Sequence, residues 1–219
     1  MDGTLVDSEK VWDVAIGELV ARYGGTLPQD ARRAMVGTGT IESMEILHAA
    51  LEQPWRDIEA GAAWLEDRVA HLFTEGLVWR PGAGALIAAV RAAGIPTALV
   101  TSTCRRLVDV ALPTLGPENF DVVVCGDEVG ATKPDPEPYR TAARLLGVPV
   151  ERCVAIEDSP TGVASAVAAG VAVIAVPCEV ALDPRDGVLV IDSLTRVDLA
   201  VLGRLAHRVD HAVVVPDSP

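Results

Sequence analysis

Four short polar motifs contain residues whose types and spacing could act on a ligand. They are "DGT" with Asp2, "TST" with Thr101, "GDEVGATKPDP" with Lys133, and "EDSPTG" with the adjacent acids Glu157 and Asp158. Carboxylates, a lysine and hydroxyls close to helix N-termini form a set that suits an anionic ligand. One metal ion and one lysine can reverse the local potential of an acidic protein. A phosphorylated small molecule is therefore compatible with this set.

The elements that must bring these motifs together form a regular alternation from about residue 84 onward. The runs "PTALVTST", "DVVVCGDEV", "CVAIEDS", "AVIAVPC" and "GVLVIDSL" are typical of buried strands, and helical segments separate them. Such alternation predicts βαβ units and a parallel sheet, so the fold class is α/β. Three of the four motifs follow predicted strands, and open α/β sheets bind ligands at the carboxyl ends of their strands. We therefore expect the motifs to converge on one edge.

Residues 9–77 have a different pattern, with apolar residues at three- and four-residue spacing and no convincing strand. The pattern predicts a helix that is capped by Ser8 and ends at Gly24, and two further helices after it. We interpret this stretch as a helical module. In the alternating part, the helix of "CRRLVDVALPTLG" is expected to end at Pro113.

Composition and charge exclude several classes of function. The 219 residues carry a net charge of -13 and are 50% hydrophobic. This acidic balance argues against nucleic acid and against an anionic membrane surface. The sequence has no membrane-span pattern and no leader, and its four cysteines form no CxxC pair, so we expect a reduced, cytoplasmic protein. We interpret His207 and His211 as a solvated helix end.

The motifs together resemble the haloacid dehalogenase superfamily, in the subgroup that includes phosphoglycolate phosphatase and β-phosphoglucomutase. The matching segments are "DGTLVDSE", "ALVTST", "GDEVGATKPDPEPY" and "AIEDSPTGVASAVAAG", in the family's order. The resemblance covers residues 1 to about 195. It implies a Rossmann-like core with a parallel sheet formed by residues 1–8 and 78–219, and an inserted helical cap domain formed by residues 9–77.

The resemblance also implies roles in phosphoryl transfer for four residues. Asp2 matches the general acid and base, and Thr101 matches a hydroxyl that holds a phosphoryl oxygen. Ser102 is expected to add contacts. Lys133 matches the lysine that offsets the charge of the nucleophile and the phosphate. Taken singly, each of these residues also has an ordinary structural interpretation, such as a terminal residue, a strand end or a solvated loop charge.

The cofactor that the resemblance implies is Mg²⁺. The backbone carbonyl of Asp2 and the acidic pair Glu157 and Asp158 match the family's metal ligands, which act directly or through water. Oxygen ligands together with a substrate phosphate are what Mg²⁺ prefers. The alternative is that the acidic pair only favours the N-terminus of the helix that follows it.

The family's nucleophilic aspartate matches no residue of this sequence. It belongs two positions before Asp2, and Met1 occupies the position between them. The resemblance also implies a strand that leads into the first motif in the middle of the sheet. We expect that the real protein starts upstream of Met1. The alternative is a truncated remnant that binds phosphometabolites or a partner without catalysis.

The predicted function is hydrolysis of a small phosphomonoester of the sugar phosphate or phosphoglycolate type. Gly37, in the loop that resembles the cap loop over the active site, is expected to let the backbone approach the substrate, although a simple turn explains it equally. The residues that follow, Thr38 to Ile41, lack the arginine of β-phosphoglucomutase, which favours a phosphatase over a mutase. The expected partner is a phosphorylated small molecule, and the expected state is a monomer or weak dimer.

Overall fold

The helical module predicted before residue 78 is present. The computed structural model describes residues 1–182, 184 and 186–206, so His207, His211 and the tail after them lie outside the described part. No strand occurs within residues 9–77. The helices there are α1 (Glu9–Tyr23), α2 (Gln29–Ala34), α3 (Thr40–Ala50) and α4 (Ile58–Glu75). The short helix α2 was not predicted.

These helices pack through apolar faces with helical spacing. Helices α1 and α4 pack against each other; Ile16, Leu19 and Val20 of α1 are buried, and Leu65 and Val69 of α4 are fully buried. Burial of a side chain of this size stabilises by about 1.5–3 kcal/mol. The module is therefore held mainly by its own apolar face, as most protein helices are.

The second part of the chain alternates strands and helices as predicted. The strands are β1 (Ala98–Val100), β2 (Val122–Val124), β3 (Val154–Glu157), β4 (Ala172–Ala175) and β5 (Val188–Val190). The helices are α5 (Ala83–Ala92), α6 (Arg105–Leu115), α7 (Glu137–Leu146), α8 (Pro160–Ala169) and α9 (Leu199–Ala206). Every strand pairing is parallel, in the orders β1-β2 and β3-β4-β5. The prediction of an α/β fold with a parallel sheet is confirmed.

One predicted helix end is wrong. Helix α6 does not stop at Pro113 but continues to Leu115. A proline inside a helix removes one backbone hydrogen bond and usually kinks it. Here Ala111 and Leu115, on either side of Pro113, are fully buried, and the amide of Gly116 still donates to the carbonyl of Leu112 at 2.9 Å. Packing of the last turn therefore outweighs the lost bond.

The predicted role of Ser8 as a helix cap is also wrong. Ser8 precedes α1 with φ -92° and ψ -11°, which is helical backbone, and its side chain makes no capping bond. Its carbonyl accepts the amides of Val11 and Trp12 at 2.9 and 3.0 Å. Its hydroxyl donates to Asp2 instead. The Ser8 hydroxyl thus orients Asp2 and does not cap the helix.

A single apolar cluster joins the helical module to the alternating part. It contains Leu19 and Leu65 from the module and Leu99, Leu107 and Leu115 from β1 and α6. The division into a core and a cap stays a prediction. The cysteines Cys104, Cys125, Cys153 and Cys178 are free. Within the described ranges, no helix has the length and apolar character needed to cross a membrane.

Candidate active site

All of the residues predicted to form the site line one small cavity of about 80 Å³ at the carboxyl ends of β1 and β3. They are Asp2, Gly37, Thr101, Ser102, Lys133, Glu157 and Asp158. Parallel strands bring their carboxyl ends to the same edge, which is why motifs far apart in sequence meet there. Their chemical roles stay predictions.

Lys133 and Glu157 form a buried ion pair in this cavity. The Lys133 Nζ atom lies 2.5 Å from Glu157 Oε1, and the exposed fractions of the two side chains are 7% and 5%. The hydroxyl of Tyr139 donates to the same oxygen. Burial raises the pKa of Glu157, but the charge and hydrogen bond of Lys133 outweigh burial and hold that pKa below its usual value. Glu157 is therefore ionised at neutral pH.

The pKa of Asp158 is shifted in the opposite direction to that of Glu157. Burial and the neighbouring charge of Glu157 raise its pKa to about 6, although the Thr4 hydroxyl donates to Asp158 Oδ1 at 2.5 Å. Gly3 passes against the same carboxylate with φ +61°, and a Cβ atom there would lie 2.0 Å from Asp158 Oδ2. Only glycine fits this approach. A cation beside Asp158 would favour its ionised form.

Asp2 accepts hydrogen bonds from three donors, two at the start of α1 and one after β1. Its Oδ1 atom accepts the hydroxyl of Ser8 at 2.6 Å and the indole N–H of Trp12 at 3.0 Å. Its Oδ2 atom accepts the hydroxyl of Thr103 at 2.7 Å. Thr103 also donates its backbone amide to the Thr101 hydroxyl at 3.2 Å. The carboxylate is thus fixed in orientation before any ligand arrives.

Ser8, Trp12 and Thr103 are site residues that sequence reasoning missed. Thr103 lies in the "TST" motif, and Ser8 lies in "DGTLVDSE". Membership in these motifs is the sequence signal that could have identified both residues. Trp12 lies inside α1, and nothing in the apolar spacing of that helix indicates that its side chain reaches the site. A side chain that reaches Asp2 from the first helix is visible only once the helix is placed.

Hydrogen bonds hold the loop around Gly37 against the segments on the opposite side of the cavity. The Gly37 carbonyl accepts the hydroxyls of Ser102 and Thr161, both at 3.1 Å. Gly37 has φ +79°, and a Cβ atom there would lie 2.6 Å from the side chains of Ser159 and Thr161. The glycine thus permits the loop to touch the start of α8. The single O–H of Ser102 is used in this contact, and its contact with a ligand stays a prediction.

The wall formed by the helical module carries its own charged group. Glu9 is 6% exposed, and its Oε2 atom lies 3.0 Å from Arg32 Nη2. Arg32 also contacts Asp13 at 2.7 Å. Burial raises the pKa of Glu9 to about 7 against the hydrogen bond from Arg32, and the negative charge of Asp2 adds to the increase. Glu9 and Arg32 were not predicted as site residues.

The carboxylates in the cavity provide oxygen ligands for a hard cation. Within the described ranges, no three histidine, cysteine or acidic side chains are grouped closely enough to form a complete metal site. Mg²⁺ usually needs only one or two carboxylates, with waters and substrate phosphate completing its coordination. Asp158 and Asp2 fit this pattern. Glu157 fits it less directly, because Lys133 already binds one of its oxygens.

Comparison with known proteins identifies the family. The haloacid dehalogenase-like hydrolase family matches residues 1–170. Hexitol phosphatase A of Escherichia coli is 36% identical over 180 residues, covering 80% of this chain and 80% of the relative. A phosphorylated carbohydrates phosphatase of Thermotoga maritima is 35% identical over 172 residues, covering 78% and 79%.

A solved structure shows the same architecture. The crystal structure of CbbY from Rhodobacter sphaeroides in complex with phosphate superposes with a TM-score of 0.80 at 31% identity, and it covers 93% of this chain and 96% of that chain. The resemblance drawn from the four motifs is confirmed by these matches. The chain belongs to the haloacid dehalogenase-like hydrolases.

Proposed function

We propose that this chain carries the site of an Mg²⁺-dependent phosphatase that hydrolyses a small phosphomonoester of the sugar phosphate or phosphoglycolate type through an aspartyl-phosphate. The observation that carries the proposal is the placement of Asp2. Three donors orient its carboxylate in the cavity that also contains Lys133 and Asp158. Phosphoryl transfer depends on such positioning and on charge compensation.

The proposal gives Thr101, Lys133 and Asp2 defined tasks. The oxygen of Thr101 accepts the amide of Thr103, and no acceptor for its O–H occurs among the residues that the structure describes, so this O–H can donate to a phosphoryl oxygen. Lys133 donates to Val100 O and Glu157 Oε1, and its third N–H can reach a phosphoryl oxygen. Asp2 gives a proton to the leaving oxygen and later takes one from the attacking water.

Asp158 and the carbonyl of Asp2 would hold Mg²⁺, with Glu157 acting through water or through Lys133. Bound there, the cation would neutralise part of the charge on the transferred phosphoryl group. The excess of carboxylates in the cavity supports this assignment, because Asp2, Glu9, Glu157 and Asp158 line it together with the cations Lys133 and Arg32. A dianionic phosphate needs more positive charge than these two cations supply.

The nucleophile of the proposed mechanism is an aspartate two positions before Asp2, a position that precedes Met1. The covalent step therefore has to be tested on a chain extended upstream. The alternative function, a phosphate-binding protein without turnover, predicts stabilisation by phosphate and no hydrolysis even after extension. A mutase predicts turnover that depends on a sugar bisphosphate activator.

Two observations support a sugar phosphate as substrate. The named relatives act, by their names, on hexitol phosphates and phosphorylated carbohydrates. In this chain the wall opposite the sheet contains the hydroxyls of Thr38, Thr40 and Ser43 beside Arg32 and Glu9. Groups that both donate and accept hydrogen bonds suit the hydroxyls of a small polyol.

The test uses a chain extended upstream with an aspartate at that position. We expect Mg²⁺-dependent hydrolysis of p-nitrophenyl phosphate or a sugar phosphate, and we expect Asp2→Asn to lower kcat by about 10²–10⁴-fold because the general acid is lost. The matched control is Asp7→Asn, because Asp7 belongs to the same segment but pairs with the exposed Lys10. Equal rates for Asp2→Asn and Asp7→Asn would refute the role of Asp2.

A further inference from the structure

The helical module contributes a cation to the small cavity, and two carboxylates already surround that cation. Residues 9–77, all of which the structure describes, place two charged side chains in the cavity lining, Glu9 and Arg32. Arg32 Nη2 lies 3.0 Å from Glu9 Oε2, and Arg32 Nε lies 2.7 Å from Asp13 Oδ1. When both acids are ionised, their two negative charges exceed the single positive charge of Arg32.

The two acids differ in their access to water and to the cavity. The exposed fraction of the side chain is 8% for Glu9, 19% for Arg32 and 52% for Asp13. Ion pairs between exposed charges are weak, and the interaction strengthens as water is removed. Glu9 lines the cavity, whereas Asp13 does not. Glu9 therefore accounts for most of the charge compensation of Arg32 that a bound ligand would experience.

This pair can still form hydrogen bonds with an uncharged ligand group. Arg32 has five N–H donors, and its contacts with Glu9 and Asp13 use one donor each. The remaining donors can reach the oxygen of a ligand hydroxyl. Glu9 has a second carboxylate oxygen that can accept the O–H of a hydroxyl. The pair thus offers both donors and acceptors, as a polyol requires.

A second anionic group of the ligand would have no free positive charge at this wall. Under the proposed function, Lys133 and the metal ion compensate the phosphoryl group at the edge of the sheet, and the rest of the ligand faces the helical module. The buried apolar side chains of Ile16, Met35 and Leu65 also line the cavity on that side. Apolar side chains cannot solvate an anion, and an ionised Glu9 would repel it.

We propose that Glu9 is a specificity-determining residue, which neutralises Arg32 and thereby makes the site select phosphate esters whose remaining part is uncharged and hydroxylated. Esters that carry a carboxylate or a second phosphate are rejected at the same wall. The inference rests on the proposed function, because it takes the phosphoryl group to lie beside Lys133. It narrows the substrate class to phosphates of neutral polyols and excludes phosphoglycolate and sugar bisphosphates.

The test measures the affinities of two matched esters by calorimetry in the presence of Mg²⁺. Glycerol 3-phosphate and 3-phosphoglycerate have the same number of carbons and differ at one end, where the first has a hydroxyl and the second a carboxylate. Small probes are needed because the cavity holds about 80 Å³. The buffer has pH 8, because burial raises the pKa of Glu9 to about 7. Inorganic phosphate is the reference ligand.

We expect the parent chain to bind glycerol 3-phosphate at least about 10-fold more tightly than 3-phosphoglycerate, because like charges that meet in a binding site cost affinity. Glu9→Gln should reduce this ratio by about 10-fold, since Arg32 then has a charge to offer the carboxylate. The matched control is Asp13→Asn, which removes the exposed partner of Arg32 and should change the ratio by less than about 3-fold. Damage to the fold would weaken both esters together and leave the ratio unchanged.

Three outcomes would overturn the inference while leaving the proposed function intact. The first is binding of 3-phosphoglycerate by the parent chain as tightly as glycerol 3-phosphate. The second is a ratio that Glu9→Gln leaves unchanged. The third is a ratio that Asp13→Asn changes as much as Glu9→Gln does, which would assign the selection to the exposed acid as well. A parent chain that binds none of the three ligands, inorganic phosphate included, would instead contradict the proposed function, and the inference would fail with it.

Discussion

Replacing Glu9 by glutamine should stabilise this protein at alkaline pH even though it removes an ion pair. Glu9 is 6% exposed and lies 3.0 Å from Arg32. Burial nevertheless raises its pKa from 4.5 to about 7, and the charge of Asp2 acts in the same direction. The free energy of ionising Glu9 is therefore higher in the folded chain than in the unfolded chain. Glutamine has nearly the same shape as glutamate but no charge.

The magnitude follows from the pKa of Glu9. An acid whose folded pKa is raised binds its proton more tightly in the folded state, so the contribution of Glu9 to stability is highest below pH 4.5 and falls as pH rises to about 7. The whole loss corresponds to about 3 kcal/mol. We expect Glu9→Gln to unfold like the parent chain at pH 5, to within about 1 kcal/mol. At pH 8 it should be more stable by about 3 kcal/mol, or about 6–12 °C in Tm.

The assay is urea unfolding at pH 5, 6, 7 and 8 with a chelator present and phosphate absent. The matched control is Asp13→Asn, which removes the other partner of Arg32. The Asp13 side chain is 52% exposed, against 8% for Glu9. This control should change stability little and leave its pH dependence unaltered. A Glu9→Gln chain that is less stable than the parent at pH 8 would refute the reasoning, because attraction to Arg32 would then outweigh burial.

Two further predictions concern buried charge elsewhere. Lys133→Met should lower the free energy of unfolding by about 3–5 kcal/mol because it leaves Glu157 buried without its partner, and the double variant Lys133→Met/Glu157→Gln should recover most of this in urea unfolding. Equal urea midpoints of unfolding for the single and the double variant would contradict this prediction. Burial lowers the pKa of His48, so the charging of His48 opposes folding as pH falls below 6.5, and the Tm of His48→Leu relative to that of the parent should be higher at pH 5 than at pH 8. The exposed His71, changed to leucine, is the control, and an unchanged pH dependence in His48→Leu would reject the prediction.

Much of the fold could be predicted from local patterns. Each predicted strand and each long helix exists, because short apolar runs bounded by polar residues are typical of buried strands, and "AVIA" is indeed buried on both faces. The errors occurred where distant contacts override local preference. Helix α6 passes Pro113 because Ala111 and Leu115 are buried by other elements. Ser8 donates to Asp2 and not to a helix amide.

The candidate site divides in the same way. The motif residues Asp2, Lys133 and Glu157 were found from sequence, since a parallel sheet brings strand ends to one edge whatever the details of packing. Glu9 and Arg32 were not found. They reach the cavity from helices α1 and α2, whose orientation depends on the packing of the helical module.

The sequence by itself determined the class of the fold and the edge of the sheet at which the site lies, because these follow from periodicity and from the position of the polar motifs after the strands; the family of hydrolases came from the resemblance of those motifs. Only the tertiary structure decided the partners of each polar group. The three hydrogen bonds to Asp2, the ionised state of Glu157 and the raised pKa of Glu9 all depend on distances and burial. Electrostatic energies change steeply with both, and neither is encoded in the spacing of residues along the chain.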